Sequence, residues 1–248
     1  MSIPLIEICV EGIDGLLAAQ AGGGDRAELC ASLLEGGITP SLGMVKEALR
    51  RATIPFMVMV RPRGGDFLYS EAEFASMLDD VAAFRELGVA GVVAGCLTPD
   101  GRIDEQKMNA IVAAAGPVPV TCHRAFDMTV DFREAVEALV RCGVARVLTS
   151  GQRDTALEGL AILRQTVEAA AGRIKIMACG ALDEASIARV LKESGADELH
   201  FAAPRTVPSG MAFRNPHVGM GGTAQEREYQ LTLTDSEAVR RIIAAARS

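Results

Sequence analysis

Eight short apolar runs alternate with eight helical stretches along the 248 residues, and no other feature limits the possible fold as much. The runs cover residues 5–10, 27–31, 56–61, 91–96, 118–123, 146–150, 174–179 and 198–202. Each has the length and continuous hydrophobicity of a strand buried on both faces. Helical stretches follow at about 15–21, through Lys46 and Arg51, and at about 70–87, 104–114, 131–141, 155–170, 183–193 and 234–246. Eight βα units of near-equal length with no break in composition predict one α/β domain over residues 1–248, a closed (β/α)8 barrel of TIM type. A doubly wound open sheet is the competitor, but it seldom carries eight such regular units.

Local chemistry agrees with this parsing. Ser41 and Asp183 read as helix N-caps, and Ser70 with Glu73 reads as a capping box. Glycines 24, 88, 143 and 195 mark helix exits. Residues 205–229, rich in Gly, Met and Pro, fall between the eighth strand and the last helix, where an active-site loop is expected.

A net charge of −7 and a pI near 5.1 argue against nucleic acid or an anionic membrane as the main partner, since both need concentrated Lys and Arg. No apolar stretch approaches the roughly 20 residues of a membrane span. Residues 1–7 lack a basic region and place Glu7 in the first apolar run, so no secretory signal is expected. Six cysteines without a CxxC pair fit free thiols in a reducing cytoplasm.

In a barrel of this kind ligands bind at the carboxyl ends of the strands. Glu7, Glu28, Arg61, His123 and His200 occupy or approach such ends and are the candidate catalytic groups. Charged side chains on apolar strands are costly to bury unless paired or used. Strand alternation puts Glu7 with Cys9 on one face, Glu28 with Cys30 on one face of the next strand, and Met57, Met59 and Arg61 on one face of the third. If the carboxylates point inward, so do the thiols.

The loop Arg61-Pro62-Arg63-Gly64-Gly65-Asp66-Phe67 offers two guanidiniums suited to a carboxylate or phosphate. Arg63, Asp66, Arg124, Asp127, Thr149 and Ser150 are therefore candidate substrate contacts. Two chemistries stay open. Glu and His suit Zn2+ or Mn2+, or metal-free acid–base work on a small anionic metabolite, whereas Cys9 and Cys30, with methionines nearby, are soft ligands for Cu(I). A bland alternative is a salt-bridge layer of Glu7, Glu28 and Arg61 that only fills the barrel.

Several stretches resemble the CutC family of copper homeostasis proteins: Glu7-Ile8-Cys9, residues 24–30 and 35–41, Arg61-Pro62-Arg63-Gly64-Gly65-Asp66-Phe67, His123-Arg124-Ala125-Phe126-Asp127, residues 146–151 and Phe213-Arg214-Asn215. They span nearly the whole chain in family order. The resemblance implies a TIM-type barrel, a cytoplasmic location, self-association as a dimer or tetramer, and Cu(I) binding through Cys9 and Cys30 with a role in copper tolerance or trafficking. Cys179 and Ala202 depart from the family pattern, and Cys179 could add a third thiol.

Overall fold

The structure, a computed structural model, describes residues 4–220 and 225–248. Residues 1–3, at the head of the stretch read for a signal, and residues 221–224 of the expected loop lie outside it. Strands β1 (Leu5–Glu11), β2 (Arg26–Cys30), β3 (Phe56–Met59), β4 (Gly91–Ala94), β5 (Val120–Cys122), β6 (Arg146–Thr149), β7 (Lys175–Ala178) and β8 (Glu198–Phe201) pair in parallel in sequence order. β8 pairs back onto β1, which closes the barrel.

The helices are α1 (Gly12–Ala21), α2 (Leu42–Arg51), α3 (Glu71–Leu87), α4 (Glu105–Ala115), α5 (Phe132–Arg141), α6 (Leu160–Ala170), α7 (Ile187–Ser194) and α8 (Ser236–Ala246). Ile6, Ile8, Val58, Val92, Val147, Ile176 and Leu199 fill the layer between strands and helices, so the opposite strand face points into the barrel. Among the described residues no helix is long and apolar enough to cross a membrane.

Two caps form as expected: Ser41 accepts from the Met44 amide, and Ser70 and Glu73 close a capping box; Asp183 instead accepts from the Ala185 and Ser186 amides in a turn ahead of α7, whose N-cap is Ser186. Gly88, Gly143 and Gly195 take the left-handed conformation at helix exits, but at the first exit it is Gly23, not Gly24, that does so. Gly24 instead packs so tightly on Ile8 that a Cβ there would lie 2.8 Å from its side chain. α6 begins five residues later than expected. Thr155 and Glu158 bond each other's amides in a separate turn, and Gly159 is pressed against the Ser150 carbonyl.

Two differences bear on the site. Residues 205–229 are not simply a loop: β9 (Pro204–Pro208) pairs antiparallel with β10 (Gln230–Thr234), with Val207 opposite Leu231, and β10 packs on α1. The buried ionic layer also differs in membership. The Arg26 guanidinium donates to both Glu7 and Glu198, and Arg146 donates two further bonds to Glu198, at 2.7 and 3.1 Å, and one to Thr121. Glu7 belongs to this layer as expected, whereas Arg61 does not.

Removing one member leaves the others as uncompensated buried charges, which costs about 3–5 kcal/mol. Arg26→Ala should lower the free energy of unfolding by about that amount in a denaturant titration. A loss below about 1 kcal/mol, as for an exposed pair, would show that the layer does not support the barrel.

Candidate functional site

The carboxyl ends of the strands surround a cavity of about 270 Å3. Cys9 and Glu28 line one side of it with His200, and Arg61, Phe67 and His123 also line it, with Arg124 and Cys179. Register explains the first group: Cys9 sits opposite Glu28, and Glu7 opposite His200. Glu7 and Cys30 are fully buried behind this surface.

Glu7 is held from two sides, by Arg26 at one oxygen and by His200 Nδ1, 2.9 Å from Oε1. Burial alone would raise its pKa, but His200 and Arg26 outweigh that and hold it at about 2. His200 is shifted the other way. Burial opposes its charge, yet Glu28, Cys9 and Glu7 together push it well above its ordinary value. It is therefore an imidazolium bonded to a carboxylate.

Cys9 Sγ lies 3.2 Å from Glu28 Oε2, and Cys30 Sγ lies 3.6 Å from the same oxygen. Two anions at that separation in a buried site cannot both persist, so Cys9 and Glu28 share one negative charge. The Cys30 thiol draws it onto Cys9, whose pKa falls to about 5 against the opposing effect of burial and with help from His200. Burial and the neighbouring Cys9 charge raise Glu28, and Cys9 together with burial raises Cys30. The shared charge therefore lies towards Cys9, with Glu28 and Cys30 both pushed well above their ordinary values.

The opposite wall is built differently. Arg61 donates Nη1 to the carbonyls of Glu35 and Gly37 and Nη2 to that of Gly65, 2.8 Å away, so it fastens two loops to the barrel rim. Phe67 lies under its guanidinium, 5.1 Å away, and against the His123 ring, with centroids 4.8 Å apart. Burial and the Arg61 charge lower the His123 pKa to about 3, so this imidazole is neutral. Gly95 makes room for it: a Cβ there would lie 2.8 Å from Nδ1.

The remaining expected contacts fall into a second rank. Arg63 and Asp66 do not line the cavity. Arg63 turns to Glu73 and to Asp66, and Asp66 lies at the exposed end of the loop. Nor do Asp127, Thr149 and Ser150 line it. The Asp127 carboxylate accepts from the Thr149 hydroxyl, the Ser150 amide and hydroxyl and the Gln152 amide, and it receives Arg124 Nε at 2.8 Å. These three residues position Arg124. None of residues 205–229 lines the cavity among those described. The sequence reading missed Arg26, Arg146 and Glu198, whose signal is a charge at the start of an otherwise apolar strand.

The chain is thus a closed (β/α)8 barrel with a thiol, carboxyl and imidazole cluster at its carboxyl mouth. It belongs to the CutC family, whose model matches residues 4–204. It is 65% identical over 246 residues to a Mesorhizobium japonicum protein described as a family protein CutC, covering 99% of this chain and 95% of that one. It is 44% identical over 244 residues to the Homo sapiens copper homeostasis protein cutC homolog, covering 98% and 89%. The solved CutC structure from Streptococcus agalactiae superposes with a TM-score of 0.76 at 32% identity, covering 80% of this chain and 98% of that one.

The Glu7 shift fixes a sign. Its folded pKa of about 2 lies below the ordinary 4.5, so its contribution is present above pH 4.5 and is lost as pH falls through about 2. The loss amounts to about 3 kcal/mol. Denaturant titrations across that window should show stability falling, with a flatter slope in Glu7→Gln. An identical slope in the variant would assign acid sensitivity elsewhere.

Proposed function

We propose that the chain binds Cu(I) in the cytoplasm through Cys9 and Cys30 and takes part in copper tolerance or trafficking. The observation that carries this is the thiolate–thiol pair itself. Donor atoms of Cys9, Cys30 and Glu28 lie within 4.8 Å of one another, and Cys9 is already ionised at neutral pH. Thiolate and thioether donors select Cu(I), and Met57 and Met59 pack in the same cluster as the two cysteines. The ion reaches Cys9 from the cavity, and Cys30 lies directly behind it. The human relative, a copper homeostasis protein homolog by name, agrees with this reading.

Glu7, Glu28 and His200 are an alternative set of N and O donors, within the same 4.8 Å limit, of the kind Zn2+ favours. Here both Glu7 oxygens are already engaged by Arg26 and His200, and a guanidinium lies beside them. A divalent ion would have to displace one cation and sit next to another. That argument favours the sulfur pair.

Anaerobic Cu(I) titration of the reduced protein against a competing chelator tests the proposal. Cys9→Ser and Cys30→Ser should each weaken binding by at least about a hundredfold. Because Cys9 has already lost its proton, loading at neutral pH should release about one proton, from Cys30. Affinity unchanged in both variants, with the fold retained by circular dichroism, would contradict the site.

A further inference from the structure

Of the six cysteines Cys9 alone is not buried, and it lines the cavity. Cys30 lies fully buried behind it. Both thiols reach one atom: Glu28 Oε2 is 3.2 Å from Cys9 Sγ and 3.6 Å from Cys30 Sγ. The two sulfurs are themselves within 4.8 Å of each other. The other cysteines stand apart from this pair. Cys96, Cys122 and Cys142 belong to the apolar layer between strands and helices, and Cys179 packs with Leu148 and Met177 in a separate cluster. An accessible sulfur with a second thiol directly behind it is the arrangement of a redox pair, in which the outer sulfur is oxidised first and the inner one resolves it.

Register says what kind of bond the pair can make. Cys9 faces Glu28 across the ladder of β1 and β2, and Cys30 faces Glu11, so the cysteines are offset by two residues on adjacent strands. Diagonal neighbours of this kind have Cα atoms about 7–8 Å apart, whereas a disulfide usually holds them at about 4.4–6.8 Å. Closing the bond therefore draws the two strands together, and Cys30, the last residue of β2, is where the backbone can yield. A disulfide closed under strain is readily reduced again. In a reducing compartment such a bond is transient rather than a permanent staple.

We propose that Cys9 and Cys30 form a reversible disulfide on reaction with a hydroperoxide that enters the cavity, and that this oxidation switches the copper site off. The Cys9 sulfur attacks one peroxide oxygen and the O–O bond breaks. The other oxygen leaves and takes up a proton, as water or, from an organic hydroperoxide, as an alcohol, and Cys9 carries S–OH. The Cys30 sulfur then attacks that of Cys9, the S–O bond breaks, and the hydroxyl departs as water with the Cys30 proton. Two thiols have lost two electrons and the peroxide has gained them. The disulfide is independent of the copper reading, whereas the switch rests on it, since a disulfide offers no thiolate to Cu(I).

The test treats metal-free, reduced protein with hydrogen peroxide in the presence of a chelator, followed by alkylation and trypsin. Cleavage after Arg26 separates Cys9, in residues 1–26, from Cys30, in residues 27–46, so the bond is read by mass as a linked pair of peptides. The linked pair should form in the wild-type protein and disappear on treatment with dithiothreitol. In Cys30→Ser, Cys9 should stop at the sulfenic acid and be trapped by dimedone. In Cys9→Ser the remaining cysteines, all buried, should stay reduced under the same treatment. The oxidised wild-type protein should bind Cu(I) about a hundredfold more weakly than the reduced protein. A linked pair that leaves Cu(I) affinity unchanged would overturn the switch together with the copper assignment of Cys9 and Cys30, while the disulfide stands. Absence of the linked pair from the wild-type protein, with Cys9 unmodified, oxidised to the sulfinic acid or joined to Cys179 instead, would overturn the inference whatever the Cu(I) titration shows. That mapping needs neither variant, so it decides even where a variant fails to fold.

Discussion

The structure depends on one guanidinium. Arg26 stands inside the barrel between Glu7 and Glu198, and a second arginine, Arg146, completes the neutralisation of Glu198. Most barrels of this fold fill that space with branched apolar side chains. Here part of the filling is ionic, set among Met57, Met59, Val93, Leu148 and Met177, and a buried charge survives only when paired and hydrogen-bonded. Arg26, Arg146 and His200 supply the positive charges, and Glu7, Glu198 and the Cys9–Glu28 pair supply the negative ones. The layer is therefore neutral as a whole, and no member can be altered without unbalancing it.

The mouth inherits its chemistry from that balance. His200 and then Arg26 hold Glu7 ionised, Glu7 helps to hold His200 charged, and Cys30 with help from His200 draws Cys9 down in a site where burial opposes it. The positive charge of one strand start is thus felt as nucleophilic and metal-ligating character at the strand ends. Across the cavity the order of effects is reversed. His123 is kept neutral by burial and by Arg61, and so it serves as a hydrogen-bond donor rather than a charge. One hollow accordingly has a soft, anionic side and a donor side.

Much of this was legible in the sequence because it rests on period. Eight apolar runs give eight strands, and the two-residue alternation puts Glu7, Cys9, Glu28 and Cys30 toward the barrel interior, where they meet. What escaped was whatever the period does not govern. Arg26, Arg146 and Glu198 sit at strand starts, where a charge ordinarily reaches solvent, so their one signal, a charge on an otherwise apolar strand, did not by itself mark them as buried. Arg61 was placed at the correct strand end, but its use of backbone carbonyls depends on loops that no side-chain pattern encodes. The hairpin of β9 and β10 was hidden because its second strand, residues 230–234, lies more than twenty residues beyond its first and directly before α8.

The central claim is that the Cys30 thiol, with the buried charge layer acting through His200, draws the Cys9 thiol far below its ordinary value. Ultraviolet difference absorbance of the thiolate, followed with pH in the wild-type protein and in Cys9→Ser, tests it most directly. The account predicts one thiolate appearing with a midpoint of about 5 that is absent from the variant. A wild-type protein that shows no thiolate until near the ordinary value of 9.0, or the same curve in both proteins, would contradict it.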